Sequence, residues 1–329
     1  MNVFRVGTRG SRLALWQART VAARLEQATA RACELVVIKT SGDRLAEAAL
    51  SEAGGKRLFV KELEDALLGH DVDLAVHSAK DMPAELPGGL TIGGVLPRED
   101  PSDALVLQLS AVPGDALEEA LARLGEAPRI GTSSVRRVAQ LVRLLPKATF
   151  HAIRGNLDTR LRKLDERQAD ALVLAVAGLK RLGFEHRISA RLPIAACVPA
   201  PGQGIVAVEV RADDHATRAA VARVDDRVTA AALKAERALV EALGGGCQLP
   251  LGAVALPRDG QDRHTPFLEL HAIVISPDGT RAVRHRDCGS IEEADALGRR
   301  VAAELAGHGA MEILDEARRR DEQRGTRNE

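Results

Sequence analysis

Residues 129–137 read Arg-Ile-Gly-Thr-Ser-Ser-Val-Arg-Arg, and this stretch decides the fold we expect. A short strand pattern ends in glycine and three hydroxyl residues, and a helical pattern follows. Such a turn leaves backbone N–H groups free, so it favours an anion. Residues 5–8, Arg-Val-Gly-Thr, resemble residues 129–132, although matches this short also arise by chance. The repeat predicts two similar α/β domains, each with this strand-to-helix turn.

Strand and helix patterns alternate through the first two thirds of the chain. Residues 34–38 and 72–76 are apolar runs typical of buried strands. Residues 11–30 predict a helix capped by Ser11, and residues 59–68 predict another. Alternation of this kind is typical of parallel sheets with helices on both faces, which here means two doubly wound domains.

Two proline-containing crossings, 97–101 and 199–204, predict a hinge between these domains, with a ligand cleft between them. The strand pattern at 205–210 is expected to return to the first domain. A third, small α+β domain follows. The predicted boundaries are 1–98 with 200–220 for domain 1, 101–196 for domain 2, 227–317 for domain 3 and 318–329 for a disordered tail.

The composition argues against several classes of protein. The 329 residues contain 46 Lys and Arg and 46 Asp and Glu, so no overall positive field favours nucleic acid or an anionic membrane. Aromatic residues are 2% with no Tyr, which weakens the case for base stacking. No apolar run has the length of a membrane span. The N-terminus has no secretion pattern, and the four cysteines form no Cys-x-x-Cys motif. We expect a cytoplasmic monomer without a metal site.

Four arginines fall in two short segments, 131–137 and 154–160. Arg136 and Arg137 would lie at a helix N-terminus, where cations oppose the helix dipole, so they need an anion to offset the repulsion. Arginine forks bind carboxylates or phosphates through two oxygens. A solvated first helical turn is the alternative. Arg9 lies in the equivalent turn of the first domain.

His77-Ser78-Ala79-Lys80-Asp81 follows directly on the predicted strand 72–76. Residues just past the carboxyl end of a strand line the ligand crevice of α/β sheets. In this position Asp81 is a candidate for proton transfer or for stabilising a developing cation, and Ser78 and Lys80 are candidate anion contacts. The alternative is a capping turn with a surface Lys–Asp pair.

Cys247 follows three glycines, which let a ligand or backbone approach the thiol closely. It is either a covalent attachment point or a buried structural cysteine. The other cysteines, Cys33, Cys197 and Cys288, are expected to be structural. Residues 41–57 are polar and contain glycine, and they predict either a lid or a flexible connection.

Together these segments resemble the porphobilinogen deaminase (hydroxymethylbilane synthase) family. No single segment is specific, but their order along the chain is. The matching stretches are 7–18, 54–62, 77–81, 98–101, 131–137, 154–160, 174–183, 201–204 and 245–250.

The resemblance implies head-to-tail condensation of four porphobilinogen molecules, with release of ammonia, for tetrapyrrole synthesis. It implies a dipyrromethane cofactor on Cys247 and a catalytic role for Asp81. Each pyrrole brings two carboxylates, so the growing chain needs cations. The cofactor contacts implied are Arg9, Ser11, Lys56, Ser78, Lys80, Thr132, Ser134, Arg136, Arg137, Arg154 and Arg160. The substrate contacts implied are Arg9, Arg154, Arg160, Arg181 and Phe59. The alternatives from other classes are a two-domain solute- or anion-binding protein and a nucleic-acid-binding module.

Overall fold

The structure is a computed structural model that describes residues 3–40, 60–108, 116–245, 249–258 and 267–325. Within these ranges the strands form three sheets. The strands are β1 (Phe4–Thr8), β2 (Cys33–Val37), β3 (Leu74–Ser78), β4 (Leu90–Val95), β5 (Asp103–Leu107), β6 (Arg129–Gly131), β7 (Thr149–His151), β8 (Ala171–Ala175), β9 (Ala190–Leu192), β10 (Val206–Arg211), β11 (Leu251–Arg258), β12 (Phe267–Ile275) and β13 (Ala282–Ser290).

The helices cover the faces of these sheets. They are α1 (Arg12–Thr29), α2 (Lys61–Leu68), α3 (Leu117–Ala122), α4 (Val135–Leu141), α5 (Leu157–Asp165), α6 (Val176–Arg181), α7 (His215–Val221), α8 (Arg227–Ala242), α9 (Ala294–Gly307) and α10 (Ala310–Gly325).

The first two sheets share one topology. Their strand orders are β2-β1-β3-β10-β4 and β7-β6-β8-β5-β9. In each sheet the first three strands are parallel, and the fourth, β10 or β5, is antiparallel to both of its neighbours. The parallel pairing expected from the alternation is therefore present in the first three strands of each sheet, and the fourth strand runs in the opposite direction. Strand β10 enters the first sheet from the crossing at 199–204, so it runs against the strands that the βα alternation places in parallel.

Side-chain alternation along the strands explains why helices pack on both faces. Along β5, Ala104 and Val106 belong to the core that contains Leu161 of α5, whereas Leu105 and Leu107 belong to the core that contains Leu141 of α4. Successive strand side chains point to opposite faces, so a continuously apolar strand needs a helix on each side. Both domains are therefore doubly wound, as expected.

Helix α1 begins where the sequence predicts. The Ser11 side chain accepts a hydrogen bond from the Ala14 N–H, and the helix ends at Ala30, whose φ of 55° is left-handed. Strand β2, expected to be buried, is only half-buried. The reason is its place at the edge of the first sheet, where it pairs with β1 alone.

The third sheet is antiparallel, in the order β11-β12-β13, and its core includes residues of α8 and α9. Helix α10 continues to Gly325, so the disordered tail predicted from Arg318 is wrong for residues 318–325. The Arg318 guanidinium donates to the Leu243 carbonyl at 3.0 Å and to the Asp315 carboxylate at 2.7 Å. The contact with Leu243 holds the last helix against the end of α8, and the contact with Asp315 lies within the last helix.

Glu236 of α8 joins the third domain to both crossings. Its side chain is fully buried. Its carboxylate accepts hydrogen bonds from Arg98 Nη1 at 2.5 Å, the Gly202 N–H at 2.6 Å and the Ala255 N–H at 2.7 Å. A buried carboxylate requires several donors to replace its lost hydration, and here segments from different parts of the chain supply them.

We expect Glu236→Gln to lower the free energy of unfolding by about 3–5 kcal/mol, because it leaves the buried Arg98 guanidinium without its counter-charge. Urea unfolding monitored by circular dichroism measures this loss. Glu241→Gln on the same helix is the matched control, since Glu241 pairs with Arg299 at the surface, and it should cost less than about 1 kcal/mol. Equal losses of unfolding free energy in the two variants would show that Glu236 does not hold these segments together.

Candidate active site

Asp81 lies at the carboxyl end of β3, as the sequence predicts. The strand ends at Ser78, and residues Ala79–Asp81 form one 3₁₀ turn. The turn borders a cavity of about 60 Å³. Its polar lining comes from α1 and its preceding turn and from β3 and the 3₁₀ turn after it: Arg9, Ser11, Gln17, His77, Ser78 and Asp81. The cavity thus brings together the two motifs of the first domain.

A second cavity, of about 100 Å³, lies where the three domains meet. Lys80 of the first domain, Ser134 and Arg136 of the second, and Arg237 and Gly245 of the third line it. Gly245 precedes Cys247 by two residues in the chain. Cys247 itself lies outside the described residues, as do Lys56, Phe59 and the whole segment 41–57 that the sequence predicts to be a lid or a flexible connection.

Arg136 and Arg137 have the anion that their position demands, and it is Asp103 of β5. All three side chains are buried. Arg136 Nη1 lies 2.8 Å from Asp103 Oδ2, and Arg137 Nη2 lies 2.7 Å from Asp103 Oδ1. Burial raises the pKa of Asp103, but the two guanidinium groups lower it more, so its pKa lies well below the usual range. The carboxylate is therefore ionised, and it offsets one of the two positive charges of the arginine pair.

Cys197 packs against this cluster. Its Sγ lies 3.4 Å from Asp103 Oδ2, and burial raises the pKa of the thiol to about 12. A neutral buried thiol is unreactive, in agreement with the structural role expected for this cysteine.

Arg160 and Arg181 differ from this pair. Both are half-buried. Arg160 Nε donates to the Gly155 carbonyl at 2.7 Å, and Arg181 Nη2 donates to the Gly204 carbonyl at 2.6 Å. Among the described residues neither guanidinium has a carboxylate within ion-pair distance. Burial lowers the pKa of Arg160, with Arg137 adding to the effect, and lowers the pKa of Arg181 to about 10. In the part of the chain that the structure describes, burial therefore removes water from both cations without a direct carboxylate contact in return.

The ammonium of Lys80 is also desolvated by burial. Burial lowers the pKa of its ammonium to about 8; Asp81 and Asp103 oppose this fall, and Arg136 and Arg137 add to it. Within the described residues the ammonium donates to Gln203, whose Oε1 lies 3.4 Å from Lys80 Nζ. The ammonium is therefore held near Asp81 in a site with a surplus of positive charge.

The remaining predicted residues of the described ranges lie in the turns before α1, α4 and α5. Ser11 and Ser134 cap helices α1 and α4. The Thr132 hydroxyl accepts from the Ser134 N–H at 3.3 Å. Arg9 is half-buried and lines the first cavity, whereas Arg154 is exposed. Their binding roles stay predictions.

Three polar residues at the site were not identified as functional from the sequence. Gln17 Nε2 donates to the Ser78 hydroxyl at 2.9 Å, and Asp103 and Gln203 hold the arginine pair and Lys80. Gln17 and Gln203 lie in the quoted motifs 7–18 and 201–204, which was the signal available. Asp103 follows the motif 98–101 by two residues and carried no signal of its own.

His77 has a buried carboxylate beside it. Its Nε2 lies 3.0 Å from Glu209 Oε2 on the neighbouring strand β10, and both side chains are almost fully buried. This placement is typical of a histidine in the core of a domain.

In the described part of the chain, no group of three or more His, Cys, Asp or Glu residues is arranged to hold a metal ion. In the same ranges, no helix combines the length and apolar character needed to cross a bilayer.

We expect Asp103→Asn to lower the free energy of unfolding by about 3–5 kcal/mol at pH 7, because two buried guanidinium groups lose their counter-charge. The folded-state pKa of Asp103 is lowered, so its contribution is complete above the unfolded-state pKa of about 4 and is lost as the pH falls toward the folded-state value. The difference in unfolding free energy between the variant and the unsubstituted protein should therefore become smaller below pH 4. Urea unfolding between pH 3 and pH 7 measures it.

Asp170→Asn is the control for this measurement, because Asp170 forms an exposed pair with Arg129. It should cost less than about 1 kcal/mol at neutral pH. A deficit for Asp103→Asn that matched this control, or that grew on acidification, would contradict the assigned role of Asp103.

Comparison with known proteins identifies the family. The family described as porphobilinogen deaminase, dipyromethane cofactor binding domain, matches residues 4–219, and the porphobilinogen deaminase C-terminal domain matches residues 230–307. A porphobilinogen deaminase of Desulforudis audaxviator is 47% identical over 314 residues, covering 95% of this chain and 97% of the relative. The porphobilinogen deaminase of Syntrophobacter fumaroxidans is 44% identical over 315 residues, with the same coverage.

A solved periplasmic substrate-binding protein from Coxiella burnetii is 12% identical, covers 68% of this chain and 92% of its own, and has a TM-score of 0.41. A likeness this remote does not bear on function. The two matched families together span nearly all of the three-domain chain, and the relatives match over almost their whole length. The chain therefore belongs to the porphobilinogen deaminase family of transferases and carries that family's dipyrromethane cofactor-binding domain.

Proposed function

We propose that this chain condenses four porphobilinogen molecules head to tail at the turn that carries Asp81, releasing ammonia and producing hydroxymethylbilane. The observation that supports this assignment is the set of cations around that turn. Lys80, Arg160 and Arg181 have lowered pKa values because burial removes water from them. A binding site for a polycarboxylate requires such cations, because an arriving carboxylate then gains a strong interaction at little further desolvation cost.

The residues present fit a dipyrromethane cofactor. Its pyrroles carry acetate and propionate groups, and their negative charge matches the surplus positive charge around Lys80. The cavity beside Gly245 places this surplus next to the chain that leads to Cys247. When bound, the cofactor supplies the pyrrole carbon on which the new chain begins. The residues we propose to hold it are Cys247 as the covalent anchor, with Arg9, Ser11, Lys56, Ser78, Lys80, Thr132, Ser134, Arg136, Arg137, Arg154 and Arg160.

We propose two different roles within this set, from the contacts that its members make. Asp103 offsets one of the two positive charges of Arg136 and Arg137, so we propose that this pair shapes the turn and contributes the donors that Asp103 leaves unused. Arg160 and Arg181 have no such carboxylate among the described residues and are the stronger candidates for substrate carboxylates, together with Arg9, Arg154 and Phe59. Each arginine fork gives two parallel hydrogen bonds and so fixes direction as well as charge.

Asp81 is the carboxylate that we propose to assist each condensation. Loss of ammonia leaves positive charge on the pyrrole and its methylene, and a fixed carboxylate stabilises that charge as it develops. Asp81 is exposed to the first cavity, one residue from Lys80. The same carboxylate is placed to receive the proton that leaves the pyrrole carbon when the new bond has formed.

A two-domain solute-binding protein is the alternative that shares this architecture, and it is not favoured. A solute binder needs neither Asp81 nor an attachment cysteine, and the relatives are named porphobilinogen deaminases over 95% of this chain. We further propose that the chain works as a cytoplasmic monomer, which its free thiols Cys33, Cys197 and Cys288 suit. The proposed domains are 1–98 with 200–220, 101–196, and 227–317.

Purified protein should be heavier than its sequence by two linked pyrrole units attached at Cys247, and intact-mass spectrometry tests this. Cys247→Ser should remove the added mass and the activity. Cys288→Ser is the matched control, because Cys288 is an exposed thiol in the third sheet, and this variant should keep both. Active wild-type protein with an unmodified mass would exclude the covalent cofactor.

Asp81→Asn should slow condensation by about 10²–10³-fold, because the developing cation loses its counter-charge while the shape of the side chain is kept. Single-turnover kinetics with mass analysis of the enzyme-bound chain measures each addition. Asp81→Glu keeps the charge, displaced by one methylene, and should retain more activity than Asn. The melting temperature should change little in either variant. An Asn variant as fast as wild type would place the chemistry on another carboxylate.

A further inference from the structure

The turn at 201–204 contacts residues of all three domains. These residues are Lys80 of the first, Asp103 of the second and Glu236 of the third. Gly202 and Gly204 have φ of +74° and +86°. A Cβ on Gly202 would lie 2.8 Å from the Lys80 N, and a Cβ on Gly204 would lie 2.2 Å from the Glu99 carbonyl oxygen. Only glycine allows this backbone to approach so closely. The position of the side chain between them, Gln203, is therefore fixed by the backbone.

The hydrogen bonds of Gln203 determine which way its amide faces. The side chain is fully buried. Its Nε2 donates to the Pro101 carbonyl at 2.7 Å and to Asp103 Oδ1 at 2.8 Å. Both amide hydrogens are thereby used on acceptors, so the amide oxygen must point to the opposite side. There it lies 3.4 Å from the Lys80 ammonium.

We propose that Gln203 is a positioning residue for the condensation, whose amide links Asp103 of the second domain to Lys80 of the first and holds the ammonium in its charged form beside Asp81. The proposal rests on the function assigned above and adds a residue to it. Asp103 already receives Arg136 and Arg137, so Gln203 connects the arginine pair, the lysine and the catalytic turn in one hydrogen-bonded chain.

The surroundings of Lys80 explain why this link matters. The charged groups that face its ammonium are Asp81 on its own turn, Asp103 on β5, and Arg136 and Arg137 on α4. Arg237 of α8 lines the same cavity. Burial and the two arginines of α4 favour the neutral amine, whereas Asp81, Asp103 and the Gln203 oxygen favour the ammonium. Removal of that oxygen should therefore lower the pKa of Lys80.

The experiment compares Gln203→Met with Gln140→Met in the purified holoenzyme. Gln140 is the matched control: it is also buried, and its amide bonds the Val198 backbone and the Arg136 carbonyl on the other side of the arginine pair. The pH dependence of Lys80 acetylation, followed by peptide mass spectrometry, reports the amine's pKa without requiring activity. In Gln203→Met the curve should move to lower pH by about one unit, whereas Gln140→Met should leave it in place.

The basic limb of the pH–rate profile for condensation should move to lower pH in Gln203→Met, together with the acetylation curve. If that variant does not fold, Gln203→Asn keeps the amide but shortens its reach, and should show a shift in the same direction. An unmoved acetylation curve, or equal shifts in the Gln203 and Gln140 variants, would overturn the proposal. Failure of the proposed function would be distinct, since wild type would then not condense porphobilinogen whatever the acetylation curves show.

Discussion

One buried carboxylate, Asp103, is the group on which the arrangement of the active site depends. Two guanidinium groups cannot lie side by side in the interior unless an anion separates them, because both repulsion and lost hydration act against them. Asp103 provides that anion from the first residue of β5, with contacts of 2.7 and 2.8 Å to the two arginines. The start of α4, the antiparallel strand of the second sheet and the crossing at 199–204 are thereby tied together.

This arrangement separates the cations into two kinds. We propose that the cations paired with a protein carboxylate contribute structure, and that those desolvated without a carboxylate contact among the described residues receive the ligand. The distinction is physical, since a desolvated cation without a partner raises the energy of the free protein and lowers that of the complex. Preorganised charge of this kind does not need to reorient when charge develops on the substrate. Arg137 and Arg160 show the two kinds within one cluster.

The sequence predicted local features well, because local features follow from neighbouring residues. The cap at Ser11, the strand-to-helix turn at 131–134 and the position of Asp81 after β3 were all visible in short patterns. Even the need for an anion near Arg136 was predicted from the helix dipole. Its identity was not, since Asp103 lies 33 residues earlier in the chain, and a single sequence contains no sign of which distant residues meet.

The errors have the same origin. Strand β2 is apolar enough to be buried, but its exposure depends on its being at a sheet edge. The direction of β10, which the sequence pattern did not predict, depends on where the chain re-enters the sheet. The segment that begins at Arg318 is polar, but the Arg318 guanidinium donates to the Leu243 carbonyl at the end of α8. In each case the deciding contact is with a residue far away in the chain.

The insertion of β10 between β3 and β4 has a consequence for biosynthesis. The first sheet cannot close on the ribosome until Val206–Arg211 has emerged, whereas the second sheet needs nothing beyond Leu192. At about 5–20 residues per second, translation from the end of β4 to the end of β10 takes on the order of ten seconds. During that time the amino-terminal strands lack their partner, and the domain encoded second is the first able to complete its sheet.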